Sequence, residues 1–338
     1  MFDAHCELLD FYNEKIKLSS AQQDEMRDRR NSNRRRLDSG LVNNESPQKI
    51  SNLIQGSYKM KTMIQRLNND YDIDDGVIFT RKSLKGLYGA DKTALDARKM
   101  VLEALERDSS RFKEPPKCLK NCVRVFYSSG YHIDIPVYRQ SEENGKMILE
   151  LASSDWKESD PRKISDWFSD IVQRKSPTND NIQMRNVVCL LKKWASSRVS
   201  WNLPNGLIFS VYAADHYPLS PVRIDEAFIM VLEATKSRLG SNVSVPNPVD
   251  ISEDFANGRE AKINNLKQKL DAYLDPLTSI LRSPTCTKNE AMRAWAAFFN
   301  DDFFLDYIDE GGEAKVGGLL VAGTPDVAVQ KQGQGRYA

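Results

Sequence analysis

At 338 residues the chain is long enough for one large bilobed domain or two modest ones, with ample core. Charged residues make up 28% and the formal net charge is +1, which excludes a global polyanion-binding field while leaving local basic patches open. Nothing approaches the roughly 18 consecutive apolar residues of a membrane span, and the first residues lack the apolar run of a signal peptide, so a soluble, cytoplasmic protein without a membrane partner is expected.

Residues 3–17 read as a helix with Leu8, Leu9 and Phe11 on its apolar side. Ser20 with Gln23 forms a capping box for a second helix, which weakens at Asp38-Ser39-Gly40. That helix carries Arg27, Arg29, Arg30, Arg34, Arg35 and Arg36. It reads either as a phosphate-binding patch or, because Asp24, Glu25, Asp28 and Asp38 are interleaved, as a solvated face. Ser46-Pro47 breaks the chain. Residues 49–54 then read as a strand that delivers Gln55-Gly56-Ser57, followed by a short helix from Tyr58 or Lys59. Glycine lets backbone approach a ligand, and a helix start directs N–H groups and partial positive charge at it, so Gly56 and Ser57 suit a triphosphate.

Residues 72–79 form the strand around which the rest is organised. Alternate side chains share a face, so Asp72 and Asp74 project together while Ile73 turns to the core. Two adjacent carboxylates oppose joint ionisation unless a cation lies between them. Mg²⁺ held by one or two carboxylates and by substrate phosphate oxygens is the simplest remedy, and a pair of such ions points to phosphoryl or nucleotidyl transfer. A helix over 91–107 follows. Strands over 123–127 and 131–138 are joined by Ser128-Ser129-Gly130, a hairpin signal. Asp134 lies among Ile133, Ile135 and Val137, on a strand able to pair beside Asp72 and Asp74, where a third carboxylate could hold a second ion and help deprotonate a hydroxyl. His132 shares its face, as an orienting or an ordinary structural group. Arg124 lies on the first hairpin strand.

Asp160-Pro161 starts a helix that runs to about Arg174. Beyond it the pattern is almost wholly helical, over 181–197, 206–217, 221–239, 259–281 and 287–299, the last with a Thr287/Glu290 capping box, and with a loop over 246–257. From Asp309 the composition turns to Gly, Ala, Val, Lys and Gln and reads as a flexible tail ending at Ala338. Cys6, Cys118, Cys122, Cys189 and Cys286 form no Cys-x-x-Cys pair, and with His5, His132 and His216 they do not cluster as a zinc site requires, so reduced thiols are expected.

Gln55-Gly56-Ser57-Tyr58, Asp72-Ile73-Asp74-Asp75-Gly76, His132-Ile133-Asp134-Ile135-Pro136 and the Ser159–Phe168 phrase SDPRKISDWF resemble the cGAS/DncV-like nucleotidyltransferases (CD-NTases) of bacterial anti-phage (CBASS) systems, over roughly residues 45–300. The resemblance implies an α+β fold: a polymerase-β-like core with a mixed or antiparallel sheet, a helical second lobe, and an active site in the cleft between them. It divides the chain into N-terminal helices packing on the core (1–45), the catalytic core (46–155), the helical lobe (156–308) and the tail (309–338). It implies joining of nucleoside triphosphates such as ATP and GTP into a cyclic di- or trinucleotide that acts on a downstream effector. Asp72, Asp74 and Asp134 would be catalytic and hold two Mg²⁺ (or Mn²⁺) ions, and Gln55, Gly56, Ser57, Arg124 and Lys192 would contact nucleotide. It also suggests conjugation at Ala338 by a ubiquitin-ligase-like partner. Nothing here resembles the zinc insertion with which the vertebrate enzyme senses DNA. The alternatives are a transferase making linear oligonucleotides or modifying an RNA, protein or small molecule, and a catalytically silent scaffold. Where the family has a serine after the proline at 204, this chain has Asn205-Gly206.

Overall fold

A computed structural model describes residues 1–65, 72–86, 88–108, 112–128, 130–176, 182–219 and 223–309. The expected tail beyond Asp309, with Ala338, lies outside the described residues. Among the described residues, Met1–Lys17 packs with the chain from Trp167 to Asp309 as one compact unit, and Leu18–Asp166 form the other. Among the described residues no helix is long and apolar enough to cross a membrane.

The N-terminal segment holds α1 (His5–Phe11) and a π-helical turn over Tyr12–Ile16. The resemblance implies that this segment packs on the nucleotidyltransferase core; in the structure it groups with the helical unit. The reason is aromatic packing: the Phe11 ring lies 4.8 Å from both Phe299 and Phe304. Polar ties reinforce it, since Ala4 N donates to Asp225 Oδ2 (3.1 Å) and Phe2 N to Leu281 O (2.7 Å).

In the Leu18–Asp166 unit, α2 (Ser20–Asn43) begins one residue earlier than the sequence suggests. Ser19 and Gln22 form the capping box, while Gln23 Nε2 donates to Leu18 O at 2.9 Å. There follow β1 (Ser51–Gln55), α3 (Gly56–Met60), β2 (Asp72–Thr80), α4 (Ala94–Glu106), β3 (Glu114–Cys118), β4 (Val123–Phe126), β5 (His132–Ile135), β6 (Val137–Glu143), β7 (Lys146–Ala152) and β8 (Trp156–Glu158). The sheet is mixed. β1 lies antiparallel along one edge of β2, and β5 then β6 run parallel along the other. The remaining pairs, β3 with β4, β4 with β5, β6 with β7 and β7 with β8, are antiparallel. The single strand expected over 131–138 is split at Pro136, which has no N–H to give the ladder, although its carbonyl still accepts from Val77 N at 2.8 Å.

Strand alternation divides the sheet chemically. Ile73, Val77, Phe79, Val125, Ile133, Ile135 and Val137 bury against Leu37 and Leu41 of α2 and Val101 and Leu105 of α4. Gly40 permits the close approach of these helices, because a Cβ there would fall 1.9 Å from Ala104 O. Asp75 faces the same side and is held by Arg34, whose Nε donates to Oδ2 at 2.7 Å and whose Nη2 donates to Oδ1. Other α2 arginines are likewise engaged. Arg30 Nη1 donates to Tyr58 Oη (3.3 Å), Arg36 stacks 4.4 Å from the Phe112 ring, and Arg27 pairs with Asp24 at 3.0 Å. The arginine run is therefore not wholly solvated: Arg30, Arg34 and Arg36 fasten α2 to Tyr58 of α3, Asp75 of β2 and Phe112.

The helical unit contains α5 from Trp167 (the helix spans Pro161–Lys175), α6 (Ile182–Ser196), α7 (Gly206–His216), α8 (Ile224–Ser241), β9 (Pro246–Asn247), β10 (Asp250–Asp254), α9 (Glu260–Leu281) and α10 (Lys288–Phe299). The expected Thr287/Glu290 capping box is present. The loop expected over 246–257 instead contains the antiparallel β9–β10 pair, beside which Asp254 accepts from Ser244 Oγ (2.6 Å) and Val245 N (2.9 Å). No run of alternating apolar residues announces that pair. Polar side-chain bonds from Asp254 flank it.

Candidate active site

The phrases Asp72-Ile73-Asp74 and His132-Ile133-Asp134 pair in parallel register: Asp72 opposite His132, Ile73 opposite Ile133, Asp74 opposite Asp134. Both isoleucines are fully buried on the helix-covered side, so all four polar residues share the other face. Donor atoms of Asp72, His132 and Asp134 lie within 4.8 Å of one another, with His132 Nε2 3.9 Å from Asp72 Oδ2. Two carboxylates and an imidazole converging at this range suit a divalent cation. The sequence pointed to Asp72, Asp74 and Asp134 as ligands. The structure brings Asp72 and Asp134 together with His132 as the third group, and sets Asp74 at the adjoining register position.

Asp74 is tied to the Gly-Ser turn. Gln55 pairs with Asp74 across β1 and β2, and Gly56 follows with a left-handed φ of +64°. A Cβ on Gly56 would lie 2.0 Å from Asp74 Oδ2. The absence of a side chain is what lets the turn rest on the carboxylate. α3 begins at Gly56 itself, earlier than the residues suggest, so Gly56 and Ser57 form its first turn. The Gln55 side chain is buried and its Oε1 accepts from Tyr138 Oη at 2.9 Å. Burial pushes the Tyr138 phenol well above its usual range, which keeps it a donor.

Arg124 and Asp134 are direct partners across β4 and β5. Arg124 Nε donates to Asp134 Oδ1 and Nη2 to Oδ2, each at 2.6 Å. Burial opposes the guanidinium charge, but these bonds and the adjacent carboxylate charge outweigh it and hold Arg124 above its ordinary range.

Residues 51–138 match the family model described as the nucleotidyltransferase domain of Cyclic GMP-AMP synthase DncV-like proteins. The span 51–138 is similar to a DncV-like nucleotidyltransferase domain. That span includes Gln55, Gly56, Ser57, Asp72, Asp74, Arg124, His132 and Asp134, and the CD-NTase resemblance read from the sequence is borne out. The chain is 26% identical over 289 residues to a Cyclic GMP-AMP synthase of Escherichia albertii, an alignment covering 82% of this chain and 60% of that protein. In fold it is similar to Escherichia coli DncV in its 3′-deoxy GTP bound form, with a TM-score of 0.67, 17% identity, and coverage of 90% of this chain and 98% of that one. It is also similar to the Bradyrhizobium diazoefficiens CD-NTase CdnG in complex with GTP, with a TM-score of 0.64, 15% identity, and coverage of 88% and 96%.

Lys192 lies outside the DncV-like nucleotidyltransferase domain, on α6 of the helical unit. Its stem packs on Gly206, the first residue of α7, where a Cβ would fall 2.4 Å from Lys192 Cε. Asn205 caps that helix by accepting from Ile208 N at 3.3 Å, which accounts for its presence after Pro204. The residue that sequence reasoning undervalued is His132. Its signal was the identical pattern of the Asp-Ile-Asp and His-Ile-Asp phrases, which aligns them residue for residue once the strands are parallel.

Proposed function

We propose that this chain joins ribonucleoside triphosphates, with ATP and GTP as the leading candidates, into a cyclic di- or trinucleotide with release of pyrophosphate, and that the product signals to an effector in defence against phage. The observation that carries the reading is the parallel register that sets Asp72, Asp74, His132 and Asp134 on one face, with Gly56 seated against Asp74. Support comes from relatives whose solved structures hold 3′-deoxy GTP and GTP.

In this reading Asp72, Asp74 and Asp134 hold two Mg²⁺ (or Mn²⁺) ions, with His132 at the edge of the set. When bound, the ions stabilise charge on the attacking and leaving oxygens of an in-line displacement. Gly56 and Ser57 seat the donor triphosphate through backbone that no Cβ obstructs. Asp134 is assigned to complete the second site and to assist deprotonation of the acceptor hydroxyl. Arg124 is assigned to the nucleotide and Lys192 to the donor triphosphate.

The test is incubation of purified protein with the four ribonucleoside triphosphates and Mg²⁺ or Mn²⁺, then phosphatase digestion and mass spectrometry. A phosphatase-resistant product is expected, and Asp72→Asn or Asp74→Asn should lower its rate about 10³-fold or more. A phosphatase-sensitive ladder would replace cyclisation by linear transfer. Near-full activity in either variant would remove the assigned site.

A further inference from the structure

The Arg124–Asp134 pair bears on how the site takes up its cations, an inference that rests on Asp134 being a metal ligand as proposed above. The two residues are register partners on neighbouring antiparallel strands, so the ladder itself holds guanidinium opposite carboxylate. The fork uses both carboxylate oxygens at once, at 2.6 Å each. Asp134 is fully buried and Arg124 nearly so. An ionised carboxylate in that position is costly without a counter-charge, and Arg124 supplies one. Asp134 is also one of the three groups whose donor atoms converge within 4.8 Å. The guanidinium thus engages both oxygens of a carboxylate that offers one of them to the cation cluster.

We infer that Arg124 is a built-in counter-cation that competes with the divalent ion for Asp134. It is a positioning residue: it keeps Asp134 aimed and neutralised before loading, and it weakens the site's affinity for metal alone. Loading requires the bidentate pair to release at least one oxygen. An anionic group arriving with the metal offers the displaced guanidinium a new partner, so metal binding is favoured by substrate.

The experiment titrates Mn²⁺ alone, without nucleotide, into the full chain and follows free Mn²⁺ by electron paramagnetic resonance, for wild type, Arg124→Lys, Arg124→Gln and Asp72→Asn. Arg124→Lys is decisive, because it keeps the charge and loses the fork. Competition for the oxygens predicts at least about tenfold tighter Mn²⁺ binding in Arg124→Lys, within the range by which groups touching metal ligands change affinity, and binding at least as tight in Arg124→Gln. Mn²⁺ should also raise the melting temperature of Arg124→Gln more than that of wild type. Equal or weaker Mn²⁺ binding in Arg124→Lys overturns the inference, since a charge acting only through space is the same in both proteins. If Asp72→Asn leaves wild-type Mn²⁺ binding unchanged, the metal-site reading itself fails and takes the inference with it. If Asp72→Asn weakens binding while Arg124→Lys does not strengthen it, only the competition fails. Should Arg124→Gln not fold, Arg124→Lys still decides.

Discussion

Gly56→Ala separates two consequences of a single methyl group. The added Cβ would stand 2.0 Å from Asp74 Oδ2, where real Cβ atoms essentially never come within 3.0 Å, so the carboxylate must move by about 1 Å or more. The left-handed φ of +64° adds backbone strain of about 1–2 kcal/mol. Because the clashing atom is a carboxylate tip, its movement adds little to the cost of folding. Its cost falls on chemistry: a 1 Å misplacement of a reacting group is worth about 10²-fold in rate, or about 2.7 kcal/mol of barrier. Gly145→Ala is the matched control, with φ +74° and nothing within 4 Å of its Cβ. Both variants should lose about 1–2 kcal/mol in urea unfolding, while only Gly56→Ala should lose about 10²-fold in pyrophosphate release. Activity of Gly56→Ala within about threefold of Gly145→Ala would refute the argument that Asp74 is aimed by the Gly-Ser turn.

Two further outcomes follow from buried groups. Arg34→Met strands Asp75, whose side chain is only 2% exposed; because Arg34 itself is 25% exposed, the usual loss for a broken buried pair is discounted to about 2–4 kcal/mol. Urea unfolding reads this, Asp75→Asn in the same chain should recover part of it, and a loss under about 1 kcal/mol would contradict the pairing. Burial pushes the Cys189 thiol up to about 11, so it stays protonated at pH 8, whereas Cys6 is exposed. Maleimide at that pH should label Cys6 in the native protein and reach Cys189 only after denaturation; rapid native labelling of Cys189 would show the helical unit to be looser than described.

Much of the site was legible because its parts are local patterns. Asp72 and Asp74 alternate about Ile73, and His132 and Asp134 about Ile133, so each pair's shared face follows from residue order. Gly56-Ser57 was legible as a turn. The counterpart of each group was not. The hairpin read over 123–138 sets Arg124 across from Asp134, but nothing in the chain announces their two-point contact, and nothing near Asp75 announces Arg34. The arginine run of α2 reads as a charged stripe until the sheet and its loops are set beneath it. The β9–β10 pair escaped notice because polar bonds from Asp254, not apolar alternation, flank it.

By itself the sequence determined what a strand or helix period can determine: which side chains share a face, where Thr287 and Pro161 start helices, and which apolar residues seek cover. Tertiary structure decided which strand lies beside which and at what register, since a slip of one residue would turn every side chain of a strand to the other face. Only that register sets Asp74 opposite Asp134, and Gly56 against Asp74. The same holds for Met1–Lys17, whose place among the helices rests on Phe11 meeting Phe299 and Phe304. An apolar face states that it must be buried; the surface that buries it is settled only when distant parts of the chain meet.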